Sequence, residues 1–272
     1  MRTSYIVGAV ALAVVLIAAV SFWSSEESAD AVPELPVAAP VTEPEAQPEA
    51  EVQPRPQPEP ERLDEQTPLA LEAPPVAPAP ELPELHESDD FVREQISDWG
   101  VPEAWLRNEA LVARLTVVLT NAADGDLPRS QLSFLAPKKP FKAIATGERW
   151  FIDPSSYRRF DGLVDVFERV PPSALAEFVT LIEPLIDQAL GQLGRRDATR
   201  DLVGRAVARI ANARTLEGDV ALVRPAVMYE FADPALEALP ELEKQLLRIG
   251  PANTKRVQRF ARAFADAYRA AN

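Results

Sequence analysis

The stretch LAEFVTLIEPLIDQAL, residues 175–190, decides the fold of this chain. Its large apolar side chains recur every three or four residues, the spacing that places them on one face of an α-helix. That face consists of Leu175, Phe178, Val179, Ile182, Leu185, Ile186, Ala189 and Leu190. The stretch therefore predicts a long amphipathic helix with a wide buried face.

The sequence that follows this helix has the same periodicity. Apolar residues at helical spacing predict one more helix between residues 202 and 210 and two final helices over residues 239–249 and 257–268. Gly250-Pro251 separates the last two, because glycine suits the end of a helix and proline suits the first turn of the next. These segments predict a mainly helical domain.

The preceding sequence is also mostly helical. Leu163, Val166, Phe167 and Val170 predict a helix just before the long one. Further towards the N-terminus, Ser88 is expected to cap a first helix, and Pro102 is expected to begin a helix that runs towards Asn121. Residues 125–140 read as a loop.

A small β element interrupts the helices. The segment FKAIATGERWFIDP, residues 141–154, has two short apolar runs around Thr146-Gly147-Glu148, which predicts a β-hairpin, and residues 220–223 look extended. The predicted fold is a single mainly α domain over residues 88–272, with a small β-hairpin.

Residues 24–87 have a different composition. They hold 16 acidic residues against two arginines, and 15 of the 27 prolines in the chain, whereas residues 88–272 hold 26 acidic and 25 basic residues. Their apolar residues are mostly Ala and Val, which are too small and too scattered to offset the entropy of ordering. This segment is therefore expected to be a disordered acidic spacer, extended by proline and by charge repulsion.

An apolar run precedes the spacer. Residues 5–23, YIVGAVALAVVLIAAVSFW, contain no charge and would span roughly 28 Å as a helix, close to the hydrocarbon thickness of a bilayer. A cleaved signal peptide is the alternative. Arg2 in the tip, residues 1–4, predicts a cytoplasmic N-terminus. The expected protein is a single-pass protein of the cytoplasmic membrane with its domain in the periplasm.

Composition excludes several kinds of chemistry. The chain has no Cys, and its single histidine, His86, lies at the end of the spacer. The predicted domain therefore has no Cys nucleophile, no Ser-His-Asp triad and none of the usual zinc, copper or iron ligand sets. No metal and no cofactor are expected. Nucleic acid is not an expected partner, because the predicted topology places the domain outside the cytoplasm.

Three acidic residues could carry chemistry. Asp153-Pro154 and Asp233-Pro234 look like a helix N-cap followed by proline at the first helical position. Glu230 lies between apolar neighbours in MYEFADP and is expected to be partly buried, paired with an arginine. It is also the first candidate for a catalytic carboxylate, which would need a second carboxylate roughly 5 to 10 Å away in a cleft.

Basic residues follow the last predicted helix. Lys255, Arg259, Arg262 and Arg269 have the spacing of one helical face, and a second concentration of arginines surrounds residues 195–209. The face could bind an anionic lipid or an envelope polymer through charge and bidentate contacts. It could equally be a solvated face whose charges pair with acidic residues.

Four stretches together resemble a known family. They are ESDDFVRE at residues 87–94, DPSSYRRFDGLV at 153–164, VRPAVMYEFADPALEALP at 223–240 and QLLRIGPANTKRV at 245–257. The chain resembles, from about Leu82 to Tyr268, the uncharacterised bacterial family called domain of unknown function 3014. The resemblance implies a bacterial envelope protein with an N-terminal anchor and a proline-rich spacer, and it implies no activity for any residue.

The order of anchor, spacer and domain favours a non-enzymatic hypothesis. In this hypothesis the domain is a membrane-tethered interaction module that meets another envelope protein or polymer at a distance from the membrane. A carboxylate-dependent hydrolase of envelope material, using Glu230, is the first alternative. An anionic lipid or polymer binder that uses the face from Lys255 to Arg269 is the second.

Overall fold

The structure is a computed structural model, and it describes residues 81–271. The predicted anchor at residues 5–23 and almost all of the predicted spacer lie outside the described residues. Within residues 81–271, no helix is both long enough and apolar enough to cross a membrane.

The described chain is mainly helical, as the apolar spacing predicts. Its helices are α1 (Ser88–Ile96), α2 (Glu103–Leu106), α3 (Leu111–Asp124), α4 (Pro154–Tyr157), α5 (Asp161–Glu168), α6 (Pro172–Gln192), α7 (Thr199–Asn212), α8 (Pro234–Glu237), α9 (Glu241–Arg248) and α10 (Pro251–Ala271). Short 3₁₀ segments occur at Leu85–Glu87, Ser97–Trp99, Arg129–Leu135 and Arg158–Phe160.

Helix α6 lies at the centre of the helical core. The eight apolar residues of its predicted face are all buried. Helix α10 packs along α6 and α7, while α3 packs against α6 and α7 from another side. Because four helices share this contact region, the buried face of α6 is covered as its sequence requires.

The prediction of one helix from Pro102 towards Asn121 is wrong, because the helix is interrupted between α2 and α3. Ala110 has a left-handed backbone with φ of +55°. Asp89 of α1 accepts hydrogen bonds from the backbone N–H groups of Ala110 and Leu111, each at 2.7 Å. Arg93 donates to the carbonyl oxygen of Leu106 at 2.9 Å. These hydrogen bonds from α1 satisfy backbone groups at the end of α2 and the start of α3, and they stabilise the interruption between the two helices.

The start of α1 also differs from the prediction. Ser88 is the first residue of the helix and is buried, and its hydroxyl donates to the carbonyl oxygen of Leu85 at 2.7 Å. It therefore does not cap the helix. Leu85 itself belongs to the hydrophobic core.

The predicted hairpin is confirmed and belongs to a larger sheet. Strands β1 (Ala143–Thr146) and β2 (Arg149–Ile152) pair antiparallel around Gly147-Glu148. Strand β3 (Ala221–Val223) pairs with β2, and β4 (Glu230–Phe231) pairs with β3, so the antiparallel order is β1-β2-β3-β4. The extended stretch at residues 220–223 is therefore the third strand of the sheet.

The sheet has a core of its own. It consists of Ile152, Val220, Leu222, Phe231, Leu236 and Leu247. Gly250, between α9 and α10, packs against Tyr157 of α4 and has φ of +86°. A Cβ atom at this position would lie 2.7 Å from the Cβ atom of Tyr157. Glycine is therefore required where the last two helices meet the segment that follows the hairpin.

Candidate functional site

A groove of about 730 Å³ runs between α7 and α10. Its floor is mostly apolar, and three arginines lie along it. The α7 side consists of Arg200, Val203, Gly204, Val207, Ala208, Ala211 and Asn212, and the α10 side consists of Arg262, Phe264, Ala265, Asp266, Tyr268 and Arg269. We refer to this feature as the α7–α10 groove.

Small residues create the space in this groove. Gly204, Ala208 and Ala211 are four and three residues apart, so they share one face of α7. Ala265 provides the small side chain on α10. A Cβ atom at Gly204 would meet nothing within 4 Å. Larger side chains along this face of α7 would fill the groove.

Two buried aromatic residues line the α10 side of the groove. The rings of Phe264 and Tyr268 stack with their centroids 5.5 Å apart. The hydroxyl of Tyr268 donates to a carboxylate oxygen of Glu183 on α6. Burial and this carboxylate raise the pKa of Tyr268, whereas Arg200 acts in the opposite direction. Tyr268 therefore stays protonated at neutral pH and anchors α10 to α6.

The four basic residues of the predicted face on α10 have different neighbours in the structure. Lys255 pairs with Glu217, and Arg259 lies 3.7 Å from Glu168. Arg262 and Arg269 line the groove instead. The four cations therefore divide into a pair engaged by acidic residues near the start of α10 and a pair at the groove.

The two groove arginines on α10 are held differently. Arg262 donates to the carbonyl oxygen of Ala211, which satisfies an acceptor near the end of α7. Arg269 pairs with Asp266 at 2.7 Å, and both side chains are more than 70% exposed. An exposed pair contributes little to stability, so an incoming acidic group can exchange with Asp266 at small cost.

Glu230 is exposed, contrary to the expected partial burial. It lies on β4 opposite Val223, and the adjacent Phe231 faces the core of the sheet. Because side chains alternate along a strand, burial of Phe231 turns Glu230 to solvent. No ion pair of Glu230 is found within residues 81–271, and Glu230 does not line the α7–α10 groove.

The other two acidic candidates are helix caps, as predicted. Asp153 accepts from the backbone N–H of Ser155 at 2.7 Å at the start of α4, and Asp233 accepts from that of Ala235 at 2.9 Å at the start of α8. In the described part of the chain, no group of three or more His, Cys, Asp or Glu residues could hold a metal ion.

Comparison with known proteins identifies the family. The family described as "Protein of unknown function (DUF3014)" matches residues 111–265, which is more than half of the chain. The chain is a member of this DUF3014 family. The match runs from the start of α3 into α10, so it includes all of α7 and three of the six groove-lining residues of α10. No curated protein and no solved structure matches this DUF3014 chain.

Sequence reasoning found the arginines of this DUF3014 protein but missed the groove. Both concentrations of basic residues were visible, one around α7 and one on α10. Their meeting depends on how the two helices pack, which no local pattern encodes. A usable signal was present in the small residues Gly204, Ala208 and Ala211, whose spacing marks an open stripe on α7.

Proposed function

We propose that this protein is a membrane-tethered interaction module of the bacterial envelope. In this proposal residues 5–23 anchor the chain in the cytoplasmic membrane, the acidic spacer carries the domain into the periplasm, and the α7–α10 groove binds another envelope protein. The observation that supports it is the apolar floor of the groove with arginines along its length.

The dimensions of the groove favour a helical partner. Its lining residues extend over Arg200–Asn212 on α7 and Arg262–Arg269 on α10, which correspond to about 18 Å and 11 Å of helix. A partner helix of two to three turns matches these lengths. Such a helix would insert apolar residues at i, i+3, i+4 and i+7 between the small residues of α7.

The charges of the groove favour an acidic partner. Arg200, Arg262 and Arg269 line it, whereas Asp266 is its one acidic lining residue. Carboxylates on the flanks of an amphipathic helix would pair with these guanidinium groups, and its apolar face would cover the floor. The partner is thus an acidic amphipathic helix of another protein.

The hydrolase alternative has less support. It requires Glu230 and a second carboxylate in a shared cleft, but Glu230 is an exposed residue on an edge strand, outside the α7–α10 groove. The position of Glu230 therefore does not favour hydrolysis.

Photo-crosslinking in membranes tests the partner. A photoreactive amino acid replaces Ala208 in the floor of the groove, and the same residue replaces Ala270 as the control, because Ala270 is exposed on α10 and does not line the groove. We expect the probe at 208 to capture one envelope protein through an acidic helix, and Arg269→Glu to abolish that product. Crosslinks to lipid alone, or identical products from both positions, would refute the proposal.

The topology is tested by cysteine labelling. The chain has no native cysteine, so each introduced thiol reports only its own position. Glu94→Cys places a thiol on the exposed surface of α1, and Thr3→Cys places one in the predicted cytoplasmic tip. In cells whose outer membrane alone is permeable, a membrane-impermeant maleimide should label position 94 and should label position 3 only after lysis. The reverse pattern would exclude a periplasmic domain.

A further inference from the structure

In the part of the chain that the structure describes, strand β1 is an open edge of the sheet. It pairs with β2 on one side, and it is the first strand in the order β1-β2-β3-β4. Ile144, Ala145 and Thr146 are exposed. An open edge presents unpaired backbone donors and acceptors to any extended chain that reaches it.

The register shows which backbone groups face outward. The N–H of Asp153 donates to the carbonyl oxygen of Lys142, and Thr146 is paired with Arg149 across a two-residue turn. In an antiparallel pair, only alternate residues direct their N–H and C=O groups at the partner strand. Lys142, Ile144 and Thr146 are therefore turned towards β2, and Ala143 and Ala145 are turned towards the open edge.

Exposed cations that form no close ion pair within residues 81–271 surround this edge. Residues 136–160 contain six basic residues and two acidic ones. Lys138, Lys139, Lys142, Arg149 and Arg158 are exposed, and none of them forms an ion pair within residues 81–271. Many exposed cations elsewhere in residues 81–271, such as Arg205 and Lys255, do form an ion pair with an acidic residue. Hydrogen bonds from Ser155 lower the pKa of Asp153, and the nearby Lys142 and Arg158 lower it further. The hairpin and its flanks nevertheless keep an excess of positive charge.

Arg159 fixes the entry to β1. Its guanidinium donates to the carbonyl oxygen of Lys139 at 3.1 Å and lies 5.4 Å from the centre of the Phe141 ring. Burial lowers the pKa of Arg159 to about 10, so it stays charged at neutral pH. The edge therefore begins from an immobilised segment, which reduces the entropy lost when another strand pairs with it.

The outer face of the hairpin combines cationic and apolar side chains. Paired residues share a face, so Ile144 lies beside Phe151, and Thr146 lies beside Arg149. Lys142 shares this face because it is two residues from Ile144. Ile144 is 44% exposed, as is Val223 on β3. A strand added to β1 would place alternate side chains against Lys142 and Ile144.

We propose that strand β1 is a second binding site, which takes an extended acidic segment of a partner protein by β-strand addition. The segment forms backbone hydrogen bonds with Ala143 and Ala145. An acidic residue lies opposite Lys142, an apolar residue lies opposite Ile144, and further acidic residues meet Arg149 and the lysines that precede β1. This site lies on the sheet and goes beyond the function proposed for the α7–α10 groove.

Charge distinguishes this occupant from a second copy of the chain. Two β1 edges that paired with each other would bring together two cationic surfaces, each with Lys142 beside β1 and Arg149 one strand further in, and like charges in proximity are unfavourable. A ligand held by charge alone would contact the cations but would form no hydrogen bonds with the outward N–H and C=O groups of Ala143 and Ala145. An added strand would form both kinds of contact.

A synthetic peptide provides the probe. A fluorescent nine-residue peptide that alternates Glu with Val and Thr is titrated into the full-length protein and followed by anisotropy. Its first control peptide carries Lys in place of Glu, and its second carries N-methyl groups on alternate backbone nitrogens that would donate to β1. We expect the acidic peptide to bind and both controls to bind at least about tenfold more weakly.

Protein variants locate the site. Lys142→Glu/Arg149→Glu should weaken binding at least about tenfold, because the reversed charges repel the peptide. Arg169→Glu/Arg196→Glu is the control of equal charge and should leave binding unchanged, because both positions lie away from β1, are exposed and form no ion pair within residues 81–271. Ala145→Pro removes one outward N–H without removing a β1–β2 hydrogen bond, and Ala145→Ser is its control.

The outcomes separate this site from the groove. Ala208→Trp in the α7–α10 groove should not affect binding of the peptide to β1. A negative result for one of the two proposed sites therefore does not decide the other. Equal weakening by the two charge variants, or equal binding of the N-methylated peptide, would overturn the proposal. No binding of the acidic peptide would also overturn it and would assign Lys142 to protection of the edge from self-pairing. If Ala145→Pro does not fold, the N-methylated peptide tests the same backbone contact.

Discussion

Gly250 gives the sharpest test of the packing that positions α10. Replacing it with alanine forces a side chain into a left-handed backbone with φ of +86°, which costs roughly 1–2 kcal/mol for an L-residue. The new Cβ atom would also lie 2.7 Å from the Cβ atom of Tyr157. That atom belongs to the base of the side chain and cannot rotate away, so overpacking adds roughly 1–3 kcal/mol.

The expected effect of Gly250→Ala is therefore a loss of about 2–4 kcal/mol in the free energy of unfolding, after allowing for the smaller entropy of the unfolded alanine chain. The same substitution at Gly204 is the matched control. Gly204 lies within α7 with open space around it, so Gly204→Ala should stabilise the protein by up to about 1 kcal/mol.

Urea unfolding of the full-length protein in mild detergent, followed by circular dichroism, measures both variants. With a slope of about 2 kcal/mol/M, Gly250→Ala should lower the midpoint by about 1–2 M, and Gly204→Ala should raise it slightly. Two results would contradict the close contact between Gly250 and Tyr157. One is a loss of less than about 1 kcal/mol in the free energy of unfolding for Gly250→Ala, and the other is a shift of the midpoint in the same direction for both variants.

Three further predictions concern stability. Asp153→Ala should lower the free energy of unfolding by about 1 kcal/mol because it removes a helix cap. The hydrogen bond from the backbone N–H of Ser155 lowers the pKa of Asp153 below its usual 3.8. Unfolding at several pH values should therefore show the full difference from wild type above about pH 4 and a smaller difference as the pH falls through the lowered pKa. The guanidinium of Arg256 pairs with Glu168 at 2.6 Å and lowers the pKa of that carboxyl. Arg256→Gln should therefore lower the free energy of unfolding by up to about 1 kcal/mol in low salt and by less in 1 M salt. An equal loss at both salt concentrations would contradict this. Gln245→Met should raise the melting temperature, because the amide is 1% exposed and has no hydrogen bond within residues 81–271, and a lower melting temperature would reveal a polar partner.

Local sequence signals predicted those parts of the fold that depend on neighbouring residues. The apolar face of α6 and the break at Gly250-Pro251 each follow from spacing within one segment. The caps at Asp153 and Asp233 are encoded by the proline that follows each of them. Gly147 occupies the turn of the hairpin with φ of +61°, a conformation that glycine adopts at no steric cost.

Features that join distant segments could not be predicted in this way. The break before α3 depends on Asp89, which lies 21 residues before Ala110. Strand β4 has only two residues, too few for a pattern, and its pairing with β3 turned Glu230 to solvent although its sequence neighbours are apolar. The α7–α10 groove likewise requires two helices that are separated in sequence to pack side by side.

An affinity measurement decides whether the α7–α10 groove binds an envelope protein. The protein captured from position 208 is purified and titrated against full-length chains that carry either Ala208→Trp or Ala270→Trp. Tryptophan at position 208 fills the groove, whereas tryptophan at position 270 adds the same side chain to exposed surface of α10. The account predicts at least about tenfold weaker binding for Ala208→Trp and unchanged binding for Ala270→Trp. Equal affinity of the two variants would contradict it.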